Sequence, residues 1–329
     1  AACTTGSSAT ISVVQSAITN TECQTFDTQS SASAAGWVED NSRNYRQNYG
    51  FSNSGNASGS AGEAGGVFYR TNFLTSYADT SIGTLTLNDY ISADGKLFIA
   101  KPSTNNADAW VGFFNSTSTG TNTSSQPQSF LGIELSDNGD IANTRFRGLF
   151  GDSTGSHVAE VSANPTALLS YFTSYDWNFT YDPTGGPDGY GQMIWNVTIF
   201  GAPYSITNNL TVANRENGAT FDRFGLINFV RSPRSDADPL EFYVDNLCYT
   251  TGGPVKLQNI AFVSANQLQI TFTSFGTTHT VQWTPSLSPA TWSTVTGVTF
   301  NGPSANNVWT AQFAVPAGGT GFFRVISSP

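Results

Sequence analysis

Apolar and polar residues alternate with a period of two along most of this chain, in runs bounded by Gly, Asn, Asp and Pro, and hardly any segment shows apolar residues at helical spacing. The clearest runs are 66–74, 96–101, 109–115, 129–135, 144–150, 175–181, 191–200, 220–230 and 241–250. So many short strands predict an all-β protein built as a two-layer jelly-roll sandwich. The intervening segments carry turn chemistry. Asp137-Asn138-Gly139-Asp140 suits a hairpin turn with positive φ, and the Gly/Pro-rich stretch 182–189 suits a long hairpin loop.

Thr251-Gly252-Gly253-Pro254 cannot sit inside a central strand and reads as a linker. The expected organisation is an N-terminal extension (1–25), a large sandwich (26–250), a linker (251–255) and a second module (256–329). That module alternates on its own terms through Leu268, Ile270, Phe272, then Trp309, Ala311, Phe313, and has the size of a small immunoglobulin-like β-sandwich. Residues 9–18 read as one further strand with Ile11, Val13 and Ala17 on one face. It precedes the sandwich and needs a partner in its own chain or in a neighbour.

Charge narrows the function classes. With Lys+Arg 13 against Asp+Glu 23 the net charge is −10, so the phosphate neutralisation that drives nucleic-acid affinity is missing. Charged residues make up 11% and aromatics 13%, the opposite of a disordered composition. No run approaches the ~18–20 apolar residues of a membrane span. A start at Ala1-Ala2-Cys3 without Met fits a processed, secreted chain found outside the cell or on its surface, where cysteines pair. Three cysteines permit one intramolecular disulfide. Cys23 with Cys248 is favoured because first and last strands of a sandwich often lie side by side, and Cys3 with Cys23 is the alternative.

The stretch Gly218-Ala219-Thr220-Phe221-Asp222-Arg223-Phe224-Gly225-Leu226, followed by Glu241-Phe242-Tyr243-Val244-Asp245-Asn246-Leu247, resembles the closing strands of concanavalin A-like (LamG-like) lectin/glucanase sandwiches of secreted bacterial proteins. The resemblance covers roughly 26–250 and implies a jelly roll. The tail, through Val281-Gln282-Trp283-Thr284-Pro285 and Phe322-Phe323-Arg324-Val325, looks like small C-terminal β modules of bacterial surface proteins. The resembled family holds glycan-binding lectins, glycosidases and structural modules, so its name does not choose among them.

Retaining glycosidases need two carboxylates about 5–5.5 Å apart across the sugar bond, which this fold supplies as Glu-x-Asp-x-x-Glu. That motif does not occur here. Glu241-x-Tyr243-x-Asp245 places two carboxylates on one strand face with an aromatic between them, which suits structural hydrogen bonds better, and Glu134 is a candidate acid without a visible partner. His157 and His279 fall in different modules and read as surface residues, with no nucleophile elbow or Cys-x-x-Cys nearby. The chain is therefore expected to be non-catalytic. Asp137, Asn138 and Asp140 form the best oxygen-ligand cluster for calcium, although the turn already explains them. For a sugar platform, an aromatic face with polar neighbours, the candidates are Tyr190, Tyr181 and Trp110, with Arg145 and Arg147 sharing a strand face suited to acidic sugar.

Two functions from different classes follow. The first is an extracellular structural protein that assembles with copies of itself by terminal strand exchange, using Ile11, Val13, Ala17 and the spare Cys3. The second is a lectin module that binds extracellular polysaccharide; a glycoside hydrolase or lyase ranks third.

Overall fold

Period-two sequence becomes strand wherever one face meets a core. In Ser174–Asp182 the inward positions Tyr175, Trp177, Phe179 and Tyr181 are buried while Ser174, Asp176 and Asn178 stay exposed. The computed structural model describes residues 12–13, 20–44, 46–71, 73–103, 107–117, 128–137, 143–155, 157–159, 167–228, 238–251, 256–264, 266–274, 278–287, 290–304, 308–316 and 321–328. They divide into two units, one of residues 21–250 and one of 251–329 with 1–20.

The larger unit is a jelly-roll-type sandwich of two eight-stranded sheets. Across the first sheet run Ala202–Asn209, Gln192–Ile199, Ser174–Asp182, Ile91–Lys101, Leu240–Thr251, Glu63–Phe68 and Asn48–Ser52, with Asn20–Gln24 also paired to Leu240–Thr251. Across the second run His157–Ala159, Asn143–Gly151, Phe130–Asp137, Ala109–Phe114, Arg223–Asn228, Ser76–Asp79 and Trp37–Asp40, with Ala167–Ser170 also paired to Asn143–Gly151. Aromatics fill the space between, among them Trp177, Trp195, Phe113, Phe224 and Tyr249. Trp195 ties the layers together: its indole N–H donates to the Gly132 carbonyl at 2.7 Å, and its ring occupies the place a side chain at position 148 would take, so only glycine fits there. Two short helices, Gln29–Ala34 and Val212–Asn217, interrupt the strands, each opened by a threonine capping box at Thr28 or Thr211.

Cys23 is bonded to Cys248, joining Asn20–Gln24 to the strand beside it. Among the described residues no helix is long and apolar enough to cross a membrane.

The smaller unit has two four-stranded sheets around Leu268, Ile270, Phe272, Val281, Ala311, Phe313, Phe323 and Val325. Ser12–Val13 pairs in parallel with Phe322 and Phe323 of this unit. Val13, one of the residues expected to exchange between subunits, therefore has backbone partners within its own chain. Ile11, Ala17 and Cys3 lie outside the described residues.

His279 is not the surface residue its sequence context suggested. It stands against Trp309, Phe272 and Phe300 at ring-centre distances of 4.3, 5.2 and 5.6 Å. Burial pushes its pKa down from 6.5 to about 4, because this aromatic surround does not solvate the imidazolium. A histidine lowered in the folded state contributes stability that is fully present above pH 6.5 and is lost as pH falls towards 4. The expected loss is on the order of 1–2 kcal/mol, discounted for partial exposure. Thermal melts of the full chain from pH 7 to 4 should show this slope, and His279→Phe should flatten it; an unchanged slope would refute the assignment.

Candidate functional site

The outward face of the second sheet collects residues that are remote in sequence. One rung runs Arg147, Glu134, Trp110, Ile227, Ser76, Asp40 across six strands, each facing the next in register. The next rung is Leu149, Gly132, Gly112, Gly225, Ala78, Val38. Its three glycines let adjacent strands approach so closely that a Cβ on any of them would strike the neighbouring backbone. Over the three glycines, which carry no side chains, the large residues on either side close together. Trp110, Phe114, Phe130, Leu149, Ile227 and Ala78 form an apolar cluster of their own on this outer face.

Glu134 lies beside that cluster and is only 2% exposed. Arg147 reaches it from the adjacent strand: Nη2 stands 3.0 Å from Glu134 Oε2 and donates to Ser136 Oγ at 3.1 Å. Arg145 follows one rung further on, opposite Ser136. Burial raises the Glu134 pKa from 4.5 to about 7; the Arg147 guanidinium opposes the rise, the Asp108 charge adds to it, and Arg145 opposes it from farther away. Toward the other end of the face, a cavity of about 230 Å³ opens among Val38, Asp40, Ser76, Thr80, Phe114 and Arg223.

The structure thus brings together Trp110, Arg145 and Arg147 from the sugar-site candidates and joins them to Glu134. It also corrects their roles. Trp110 is fully buried and presents no ring to a sugar. Tyr181 is a core residue of the first sheet whose hydroxyl donates to the Leu87 carbonyl at 2.8 Å and accepts from Arg215 at 2.8 Å. Tyr190 is partly exposed, but on the loop between Ser174–Asp182 and Gln192–Ile199 of the first sheet, away from the arginine face. Asp137 ends its strand opposite Thr144, while Asn138 and Asp140 lie outside the described residues. Among the described residues no three carboxylate, histidine or cysteine side chains converge on a metal site. Glu241 accepts from the Tyr243 hydroxyl at 2.7 Å, and Asp245 is buried against Ser58 and the Asn246 N–H, so that pair holds structure.

No family model matches this chain, and no curated protein matches it. Solved structures resemble it in architecture. An alginate lyase from a Chlorella virus is similar at TM-score 0.43 and 10% identity, covering 69% of this chain and 98% of its own. The lectin-like defence protein arcelin-5 of Phaseolus vulgaris is similar at 0.38 and 8%, covering 71% and 98%. An alginate lyase from Aplysia kurodai is similar at 0.37 and 14%, covering 60% and 86%. The expectation of a non-catalytic chain is corrected by these findings, since several similar structures are lyases. Hydrolytic carboxylate pairs, nucleophile elbows and metal ligands are patterns that an elimination reaction does not require.

Proposed function

We propose that the chain is an extracellular carbohydrate-binding protein that takes an acidic polysaccharide on the outer face of its second sheet, around Arg147 and Arg145. The observation that carries this reading is the pairing of Arg147 with a carboxyl whose charge is weakened by burial. Arg147 is then incompletely cancelled, and Arg145 adds a second guanidinium on the neighbouring rung, in a chain of net charge −10. Planar guanidinium groups recognise carboxylates through paired hydrogen bonds, the chemistry a uronate offers. The extracellular setting fits the Cys23–Cys248 disulfide, which persists in oxidising compartments.

Affinity electrophoresis of the full chain in gels containing alginate or polygalacturonate tests this. Arg145→Met should weaken retardation about tenfold, as expected for one charge-assisted contact, and added salt should weaken it further. Retardation that is absent, or indifferent to both changes, would sink the reading.

A further inference from the structure

Two exposed phenylalanines occupy backbone positions that suit other residues. Phe200 and Gly201 form the two-residue turn between Gln192–Ile199 and Ala202–Asn209, with φ of 50° and 79°. Positive φ at both central positions is the hairpin geometry that prefers Asn-Gly, because asparagine tolerates the left-handed region and bulky side chains do not. Phe200 is 80% exposed. In the connection preceding Ser174–Asp182, Phe172 has φ 55° and is 69% exposed, with Tyr171 beside it at a ring distance of 4.9 Å. Each phenylalanine is unfavourable both to the backbone and to water, and strain held at a surface position points to a use.

Both lie at one end of the first sheet. Trp177 faces Val197 where the two antiparallel strands stop pairing; Phe200 follows Val197 by three residues and Ser174, which faces Phe98, precedes Trp177 by three, so both lie toward the same end. Phe98 meets Phe172 at 6.4 Å. From Phe98 the outward side chains of Ile91–Lys101 continue as Lys96, Asp94 and Ser92, a path of roughly 20 Å at ~3.3 Å per residue. Across it lie Asp176, 2.5 Å from Lys96, and Asn178, which accepts from Asn196 at 2.7 Å. Asn246, with φ 51°, is exposed on the next strand and completes the lining of a trough of about 530 Å³.

We propose that this end of the first sheet is a binding site for a neutral polysaccharide, distinct from the arginine face of the second sheet. Tyr171, Phe172 and Phe200 offer rings to the apolar faces of sugars, and Asn178, Asn196, Asn246 and Asp94 offer amides and a carboxylate to their hydroxyls. The charges select against an acidic chain: Lys96 and Asp176 offset one another, which leaves the Asp94 carboxylate to repel uronates. They also disfavour an anionic bilayer, which needs a basic patch beside the rings.

The test is affinity electrophoresis of the full chain in gels containing laminarin, hydroxyethyl cellulose or galactomannan. At least one of these should retard the protein, and Phe172→Asn with Phe200→Asn should cut the association at least tenfold. Because asparagine suits both turns, the double variant should melt no lower than the parent. Absence of retardation in all three gels, or retardation that survives the double substitution, overturns the site. So does a large drop in melting temperature, which would make the rings part of the packing. Sedimentation with phosphatidylcholine vesicles that is lost in the double variant, without polysaccharide retardation, would overturn it in favour of a membrane. Arg145→Met should leave retardation in the neutral gels unchanged, so failure here and failure of the acidic-polysaccharide reading are separable.

Discussion

Replacing Cys23 and Cys248 together with serine is expected to lower the stability of the larger unit by up to ~5 kcal/mol. The bond closes a loop with a sequence separation of 225 residues, and cross-linking so long a segment removes a large share of the unfolded chain's freedom. The chain-entropy relation puts the effect near 5 kcal/mol as an upper figure, and residual structure in the unfolded chain lowers it. Denaturant unfolding of the oxidised protein and of the double serine variant, monitored by tryptophan fluorescence, should separate the midpoints widely while the folded spectra coincide. A shift of the midpoint worth less than about 1 kcal/mol would show that the bond adds little beyond the strand pairing already beside it.

The second large effect is expected at Arg147, and it should depend on pH. Arg147→Met leaves Glu134 buried with its nearest counter-charge gone, a change worth roughly 3 kcal/mol when the carboxyl is ionised. The sign follows from the direction of the shift. A carboxyl raised in the folded state contributes stability that is fully present below its unfolded value of 4.5 and is lost as pH rises through its folded value, about 7 in the parent. Removing the guanidinium raises the folded value further, so the loss should be largest near pH 8 and small near pH 4. Glu134→Gln in the Arg147→Met background should restore most of the stability at pH 8. Equal losses at both pH values would show that Arg147 acts through packing of its stem and not through its charge.

Much of the fold was legible because its signals are local. Alternation in 175–181 and 191–200 predicts strands whose ends the structure moves by one residue, outward in Ser174–Asp182 and inward in Gln192–Ile199, since a half-buried strand writes its period directly into the sequence. The run 109–115 was recognisable for a different reason. Ala109–Phe114 is buried on both faces, so it reads as continuous apolar sequence. The short helices are not visible in the apolar pattern because six residues carry no helical period; their signal is Thr28 and Thr211 with capping partners three residues on. The burial of His279 is not visible in its own segment because its packing against Trp309 comes from a strand some thirty positions away.

Residue order alone therefore settled the all-β class and the aromatic inward faces, because those depend on spacing within a few residues. Which outward residues become neighbours was decided only by the folded sheets. Arg147, Glu134, Trp110, Ile227, Ser76 and Asp40 form one rung because strand register joins segments far apart in the chain, and no local pattern encodes that register. The same holds for Phe172 and Phe200, which share one end of a sheet because their strands run antiparallel. The pKa of Glu134 likewise depends on the surface stacked around it, a property of the tertiary structure that its neighbours in sequence do not carry.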